Sequence, residues 1–134
     1  MARITAVRKL LYRVFWDRAR EFGLQMDRSA AEGAWNSVGL LGVHCVISAC
    51  DALTVGLSGE RWSGQDHGGA VDLIRGLHLA NSTALERQVT DVLAMKDKVE
   101  YEAREFTRAE AEELRKHASR ILSRVKGELG KTYP

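Results

Sequence analysis

One segment constrains the fold of this chain more than any other. Residues 31–57 are apolar on almost every side of a helical projection, and a helix that is hydrophobic all round is normally buried in a protein core. Within this segment, residues 38–47 form the longest nearly apolar run, which His44 interrupts. Because a bilayer span needs about 20 apolar residues, we predict a central core helix here and no transmembrane helix.

Two glycines, Gly39 and Gly42, lie three residues apart in this segment. A glycine inside a helix costs about 1 kcal/mol relative to alanine, so a compensating close contact is expected. We therefore predict that a neighbouring helix crosses closely at this point, either within one chain or between two copies.

The rest of the chain also follows the helical period. Thr83 with Glu86, and Thr107 with Glu110, have capping-box spacing and predict the starts of two helices, the second of which Gly130 would stop. No segment alternates convincingly with period two. The sequence thus predicts one all-α domain over residues 1–134, an up-and-down bundle of four long helices plus one short helix. The residues expected to form the inner stripe of the first helix are Ile4, Val7, Leu11, Val14, Phe15, Arg18 and Phe22.

The charge balance argues against a chain that coats nucleic acid by net charge alone. The sequence has 20 Lys and Arg against 18 Asp and Glu, a net charge of +2. Residues 1–28 hold seven basic and three acidic side chains, so a basic amphipathic helix there could contact a membrane or a nucleic acid. We favour the alternative, in which its apolar face packs into the bundle, and predict no membrane partner.

The cysteines and histidines predict neither a disulfide nor a metal. Cys45 and Cys50 are five residues apart on one helix, about 7.5 Å along its axis, which is too far for a disulfide. Two free thiols and the absence of a signal-peptide pattern predict a cytoplasmic protein. The four histidines form no HExxH or ExxH motif, and the cysteines form no CxxC, so we expect no metal and no cofactor.

A line of polar side chains runs along the apolar central helix. Burial of such groups is costly unless they find hydrogen-bond partners, so we predict that His44 and Asp51 are buried and hydrogen-bonded. One interpretation is a polar network that fixes the register of the bundle. The other is a pocket between helices, in which His67 approaches Lys96 or Tyr101. The polar side chains concerned are Ser37, His44, Ser48 and Asp51 on the central helix, Gln65, Asp66 and His67 in the following loop, and Lys96, Asp97, Glu100 and Tyr101 on the fourth helix.

Several stretches resemble the HEPN (higher eukaryotes and prokaryotes nucleotide-binding) domain. The segment Val43-His44-Cys45-Val46-Ile47-Ser48-Ala49-Cys50-Asp51-Ala52-Leu53 is similar to the central helix of that family, followed by Gln65-Asp66-His67 before a short helix. The stretches Lys96-Asp97-Lys98-Val99-Glu100-Tyr101 and Thr107-Arg108-Ala109-Glu110 resemble the end of its fourth helix and the start of its closing helix. The resemblance covers residues 8–128 and implies a helical bundle that is usually dimeric.

The same resemblance argues against catalysis. Active members of the family are metal-independent RNases with an Arg-x4–6-His pair at the end of the fourth helix. Here Lys96 stands where the arginine is expected, and Tyr101 ends the block without a histidine. The spacing of Arg61 and His67 matches formally, but it falls in the loop after the central helix, and we interpret it as coincidental.

Two function classes follow from these observations. The first is a non-catalytic homodimer with no catalytic residue, which binds a nucleotide-like or other anionic ligand, or a protein partner, in the polar pocket. The second is a divergent toxin RNase that acts on RNA and pairs with a separate nucleotidyltransferase. The predicted ligand-binding residues are His44, Asp51, Asp66, His67, Lys96, Asp97 and Tyr101.

Overall fold

The computed structural model describes residues 3–64 and 68–134. Within these ranges the chain forms four long helices, one short helix and a two-stranded sheet, which confirms the predicted all-α bundle. In chain order the elements are β1 (Ile4–Ala6), a 3-10 helix (Lys9–Leu11), α1 (Tyr12–Ala31), α2 (Trp35–Ser58), β2 (Glu60–Trp62), α3 (Gly68–Arg75), α4 (Thr83–Glu100) and α5 (Arg108–Thr132).

Helix α2 is the centre of the bundle, as predicted. It packs against α1, α4 and α5, and 15 of its 24 residues are buried. By length and hydropathy alone α2 would qualify as a membrane span, but 78% of its most apolar stretch is buried inside the protein. The other helices of the same chain therefore account for its apolar character.

The predicted close crossing at the glycine pair lies within one chain. A Cβ atom added at Gly42 would come within 2.7 Å of Leu114 Cδ2 on α5. At Gly39 it would come within 3.0 Å of Phe106 and of Val99. Both separations are shorter than ordinary van der Waals contact, and at Gly42 a Cβ atom would force Leu114 or the helices to shift.

The N-terminal segment differs from the sequence prediction. Residues 4–6 form β1, which pairs antiparallel with β2 in the register Ile4↔Trp62 and Ala6↔Glu60, and α1 begins only at Tyr12. Ile4, Leu11 and Val14, expected in the inner stripe, are 44–45% exposed. A three-residue strand is too short to display an alternating pattern, and its partner lies more than 50 residues away. The sequence therefore read as one continuous helix.

Two helix boundaries also differ from the prediction, whereas one cap is confirmed. Thr107 and Glu110 form the predicted capping box at the start of α5. The side chain of Arg104 and the backbone N–H of Thr107 donate to Glu110 and lower its pKa to about 2.

At α4 the N-cap is Ser82, whose hydroxyl donates to the Glu86 carboxylate. Helix α5 continues past Gly130 to its end at Thr132, because Gly130 does not adopt the left-handed conformation with which a glycine ends a helix.

Candidate functional site

A cavity of about 180 Å³ lies where α2, β2, α3 and α4 meet. Three of its lining residues are charged, and two of these, Asp51 and Lys96, are predicted site residues. The third is Arg61. The described residues that line the cavity are Ile47, Cys50, Asp51, Arg61, Trp62, Ser63, Gly64, Ala70, Leu93 and Lys96.

Asp51 forms the buried end of this site. Its side chain is only 10% exposed, and Arg61 Nε donates a hydrogen bond to Asp51 Oδ2 at 3.0 Å. Burial raises the pKa of Asp51, whereas the hydrogen bond and the positive charge of Arg61 act in the opposite direction. The prediction that Asp51 is buried and hydrogen-bonded is confirmed.

Arg61 is held in place by the turn that follows α2. Gly59 ends α2 with a φ of +69°, a left-handed conformation that glycine adopts without strain, and the chain then turns into β2. The Arg61 guanidinium carbon lies 5.1 Å from the centre of the Phe15 ring on α1, which is within cation–π distance. In the described part of the chain, Arg61 hydrogen-bonds through Nε alone, so its two terminal amino groups remain available to a ligand.

Trp62 forms the wall of the cavity beside Arg61. Its indole ring packs directly against the backbone of Gly64 and Gly69, and a Cβ atom at Gly64 would lie 2.6 Å from the ring. Larger residues at these glycines would displace the indole. The loop therefore depends on its glycines to shape this side of the cavity.

His44 and Lys96 meet at the same carboxylate. Lys96 Nζ lies 3.8 Å from Glu100 Oε2, and His44 Nε2 lies 3.7 Å from Glu100 Oε1. Both distances exceed that of a hydrogen bond. The His44 side chain is 44% exposed, with its ring edge-on to Phe22, so the prediction that His44 is buried and hydrogen-bonded is wrong. The cause is its position on α2, where it faces Phe22 and Glu100 rather than the core.

The remaining predicted site residues are not placed at the cavity by the described structure. Asp97 is exposed and Tyr101 is 74% exposed at the end of α4, where the backbone N–H of Tyr101 bonds to the carbonyl of Asp97. Asp66 and His67 lie outside the described residues. The proximity of His67 to Lys96 or Tyr101 therefore stays a prediction.

Sequence reasoning missed Arg61 and Trp62. Arg61 was interpreted as half of a coincidental motif, although it is the partner of Asp51 ten residues earlier. The one available signal was the position of both residues between Gly59 and Gly64, where the chain can reverse against the preceding helix. The pairing of Arg61 with Asp51 depends on that turn and on the pairing of β2 with β1. Neither feature produces a periodic pattern in the sequence.

Both cysteines are core residues. The Cys45 thiol donates to the carbonyl of Ala19, and burial raises its pKa to about 12. Cys50 lines the cavity, and burial raises its pKa as well. Because the thiolate is the nucleophilic form, neither thiol is poised for covalent chemistry at neutral pH.

Across residues 3–64 and 68–134, no three His, Cys, Asp or Glu side chains are grouped so as to hold a metal ion. The described cavity instead combines two cations, one buried carboxylate and an indole.

A scan against protein-family models and a search of curated proteins found no match to this chain.

Proposed function

We propose that the cavity between α2, β2 and α4 binds the anionic group of a small, nucleotide-like ligand without catalysing a reaction. The observation that carries this proposal is that Arg61 and Lys96, from elements 35 residues apart in sequence, line one cavity. Two cations at one small site favour a phosphate or a carboxylate as ligand.

The bonding capacity of Arg61 supports an anionic ligand. Its Nε is committed to Asp51, which fixes the guanidinium in one orientation. The two terminal amino groups can then donate in parallel to two phosphate oxygens, the bidentate arrangement that arginine favours.

Lys96 can act as the second cation. Its side chain is 20% exposed, and its separation of 3.8 Å from Glu100 makes the pair a weak one. A ligand phosphate, with more charge than one carboxylate, would compete with Glu100 for the ammonium group.

The size of the cavity limits which part of the ligand enters. Pockets that enclose a whole drug-sized ligand measure roughly 300–1,000 Å³. A cavity of about 180 Å³ fits an anionic group with a few neighbouring atoms, so the rest of a nucleotide would lie outside.

The described lining favours binding over cleavage. Cutting RNA requires a general acid or base beside the 2′-hydroxyl group. Among the described residues of the cavity there is no histidine or tyrosine, burial raises the pKa of the cysteine, and the Asp51 carboxylate accepts a hydrogen bond from Arg61. The RNase alternative, with its nucleotidyltransferase partner, is therefore the second hypothesis.

Replacing Lys96 by glutamine tests this function. We expect Lys96→Gln to weaken binding of AMP or inorganic phosphate by about tenfold or more in isothermal titration calorimetry, since a charge-assisted hydrogen bond contributes about 1.5–3 kcal/mol. The matched control is Lys98→Gln, which removes the same charge two residues away, from a side chain that is 50% exposed and lies outside the described lining of the cavity.

Two results would contradict the proposal. One is no binding of either probe to the unmodified protein at millimolar concentration, and the other is an equal loss in Lys96→Gln and Lys98→Gln. Incubation with a short labelled RNA is the second arm. Cleavage that Lys96→Gln abolishes would establish the RNase alternative in place of simple binding.

We also propose that the protein is a homodimer, as the HEPN resemblance implies, and that it is cytoplasmic, since Cys45 and Cys50 are free thiols. Leu24 on α1 and Leu40 on α2 are exposed large apolar side chains that such an interface would cover. Static light scattering at micromolar concentration is expected to give twice the chain mass of 14.9 kDa. A mass near 14.9 kDa would exclude the dimer.

A further inference from the structure

We infer that the exposed face of α5 binds the phosphate backbone of nucleic acid without sequence preference, at a site separate from the cavity. Residues 114–134 contain six Lys and Arg and a single acid, Glu128, a net charge of +5. The rest of the chain holds 14 basic and 17 acidic residues, a net charge of −3. The C-terminal part of α5 is thus one of two strongly basic stretches in the chain, the other being residues 1–28.

The pairing of these cations shows which ones are available. Arg124 and Lys131 contact the buried Glu128, and Arg115 pairs with Asp27 on α1. In the described part of the chain, the exposed Lys116, Arg120 and Lys126 make no ion pair, so three cations project from the face uncompensated.

The helical repeat brings these charges together. The apolar side chains of α5 face the core, from Ala111 to Leu129, and the exposed positions fall on the opposite side. From residue 116 to 131 that exposed face holds cations and small residues, with no acid and no large apolar side chain. Its members are Lys116, Ser119, Arg120, Ser123, Lys126, Gly127, Gly130 and Lys131.

Two open clefts flank this face and extend its charge. One, of about 540 Å³, lies between α1 and α5 and is lined by Arg20, Arg115 and Lys116 together with the acids Asp27 and Glu112. The other, of about 580 Å³, lies between α5 and the α3–α4 connection and includes Arg120, Arg124 and Lys131 together with Glu128. A phosphate on either side of the helix would therefore meet cations.

The chemistry of the face selects the partner. A membrane-binding helix carries large apolar side chains to insert among lipids, and protein interfaces are enriched in aromatic residues and depleted in lysine. Neither description fits this face, whereas charge neutralisation of a polyphosphate does. The face is about 22 Å long from residue 116 to 131, which spans about six phosphates of a duplex strand.

Two glycines, Gly127 and Gly130, leave the helix surface without side chains near the C-terminal end of the face. A Cβ atom at Gly127 or Gly130 would meet nothing within 4 Å, so packing within the chain does not require glycine there. With serines and glycines between the cations, a phosphate backbone can approach the helix closely. The proposal rests on the cations, which would bind the phosphates. The small residues determine how closely the phosphate backbone approaches the helix.

The test is binding of a fluorescent DNA duplex of about 20 base pairs and a single-stranded RNA of the same length, measured by anisotropy over a range of salt. Three to five neutralised phosphates predict a slope of log K against log salt of about −3 to −4.5 for the duplex. The double variant Lys116→Gln/Arg120→Gln is expected to flatten that slope by about 2 and to weaken binding at least tenfold at low salt.

The matched control is Arg8→Gln/Arg13→Gln, which removes two exposed cations from the N-terminal segment and gives the same net charge. It should bind nucleic acid nearly as well as the unmodified protein. Gly127→Leu should keep or raise the melting temperature and weaken binding, since its side chain projects only toward the polymer.

Several results would overturn the inference. They are no binding of either probe in 50 mM salt, equal losses in the two double variants, or unchanged binding in Gly127→Leu. Binding to anionic phospholipid vesicles without binding to nucleic acid would likewise exclude it and assign the face to a membrane.

Discussion

Replacing Arg61 by methionine is expected to lower the free energy of unfolding by about 2–3 kcal/mol at pH 7. The substitution keeps the length of the side chain but leaves the Asp51 carboxylate, which is 10% exposed, without its hydrogen-bond donor. Because Arg61 itself is 36% exposed, water can reach the site, and the loss should fall below that of a fully buried pair. Urea denaturation monitored by circular dichroism measures it.

The same variant should show a distinctive pH dependence. Burial raises the pKa of Asp51, so the folded protein holds this proton more tightly than the unfolded chain. The associated stability is fully present below the unfolded pKa of about 3.9 and is lost as pH rises through the folded pKa. Without Arg61 that folded pKa is raised further. The difference from the unmodified protein should therefore be largest at neutral pH and shrink as the pH approaches 4.

Two controls isolate the ion pair. Arg18 also lies over the Phe15 ring, at 5.5 Å, and its charge also acts to lower the pKa of Asp51, but it makes no hydrogen bond to Asp51, so Arg18→Met should cost less than about 1 kcal/mol. The double variant Arg61→Met/Asp51→Leu should recover most of the loss, since it leaves no buried charge. Equal losses in Arg61→Met and Arg18→Met, or no recovery in the double variant, would show that the hydrogen bond contributes little.

Replacing Gly42 by valine is expected to destabilise the protein by about 3 kcal/mol or more. A Cβ atom there would already lie 2.7 Å from Leu114 Cδ2 and 3.1 Å from Met26 Sδ, where α1, α2 and α5 meet. Valine adds two further methyl groups, so the helices must separate or Leu114 must leave its place. Thermal denaturation followed by circular dichroism would detect the change.

The matched control is Gly127→Ala on the exposed face of α5. It also introduces a Cβ atom into a helix, but that atom meets nothing within 4 Å. Alanine should therefore stabilise the protein by about 0.5–1 kcal/mol, the difference in helix propensity. A destabilised Gly127→Ala, or a Gly42→Val that unfolds like the unmodified protein, would contradict this account of the two glycines.

The helices could be predicted from the sequence because each has a long apolar period. The apolar segment 31–57 predicted the core helix α2, and the spacing of Thr107 and Glu110 predicted the start of α5. The strands could not be predicted, since three residues show no period and their pairing is set by contacts more than 50 residues apart.

The candidate site was predictable only in part, for a related reason. Asp51 and Lys96 stood out as polar residues on apolar helices, and they do line one cavity. Arg61 did not, because an arginine in a glycine-rich loop is indistinguishable in sequence from a solvated one. The prediction that His44 is buried was wrong for a geometric reason. A residue on an apolar helix can still face the gap between two neighbours, which here are Phe22 and Glu100.

The small sheet ties the N-terminal segment to β2, the strand that carries Arg61 and Trp62 of the cavity lining. Thr5 pairs with Arg61, the Thr5 and Ser63 hydroxyls lie 3.0 Å apart, and the backbone N–H of Ser63 donates to the carbonyl of Arg3. These hydrogen bonds are exposed and few, the kind that open first in local unfolding. Because Arg61 belongs to the paired strand, we expect detachment of β1 to loosen the guanidinium beside Asp51. A ligand held by Arg61 would shift that equilibrium toward the paired strand and so order the beginning of the fold from a distance.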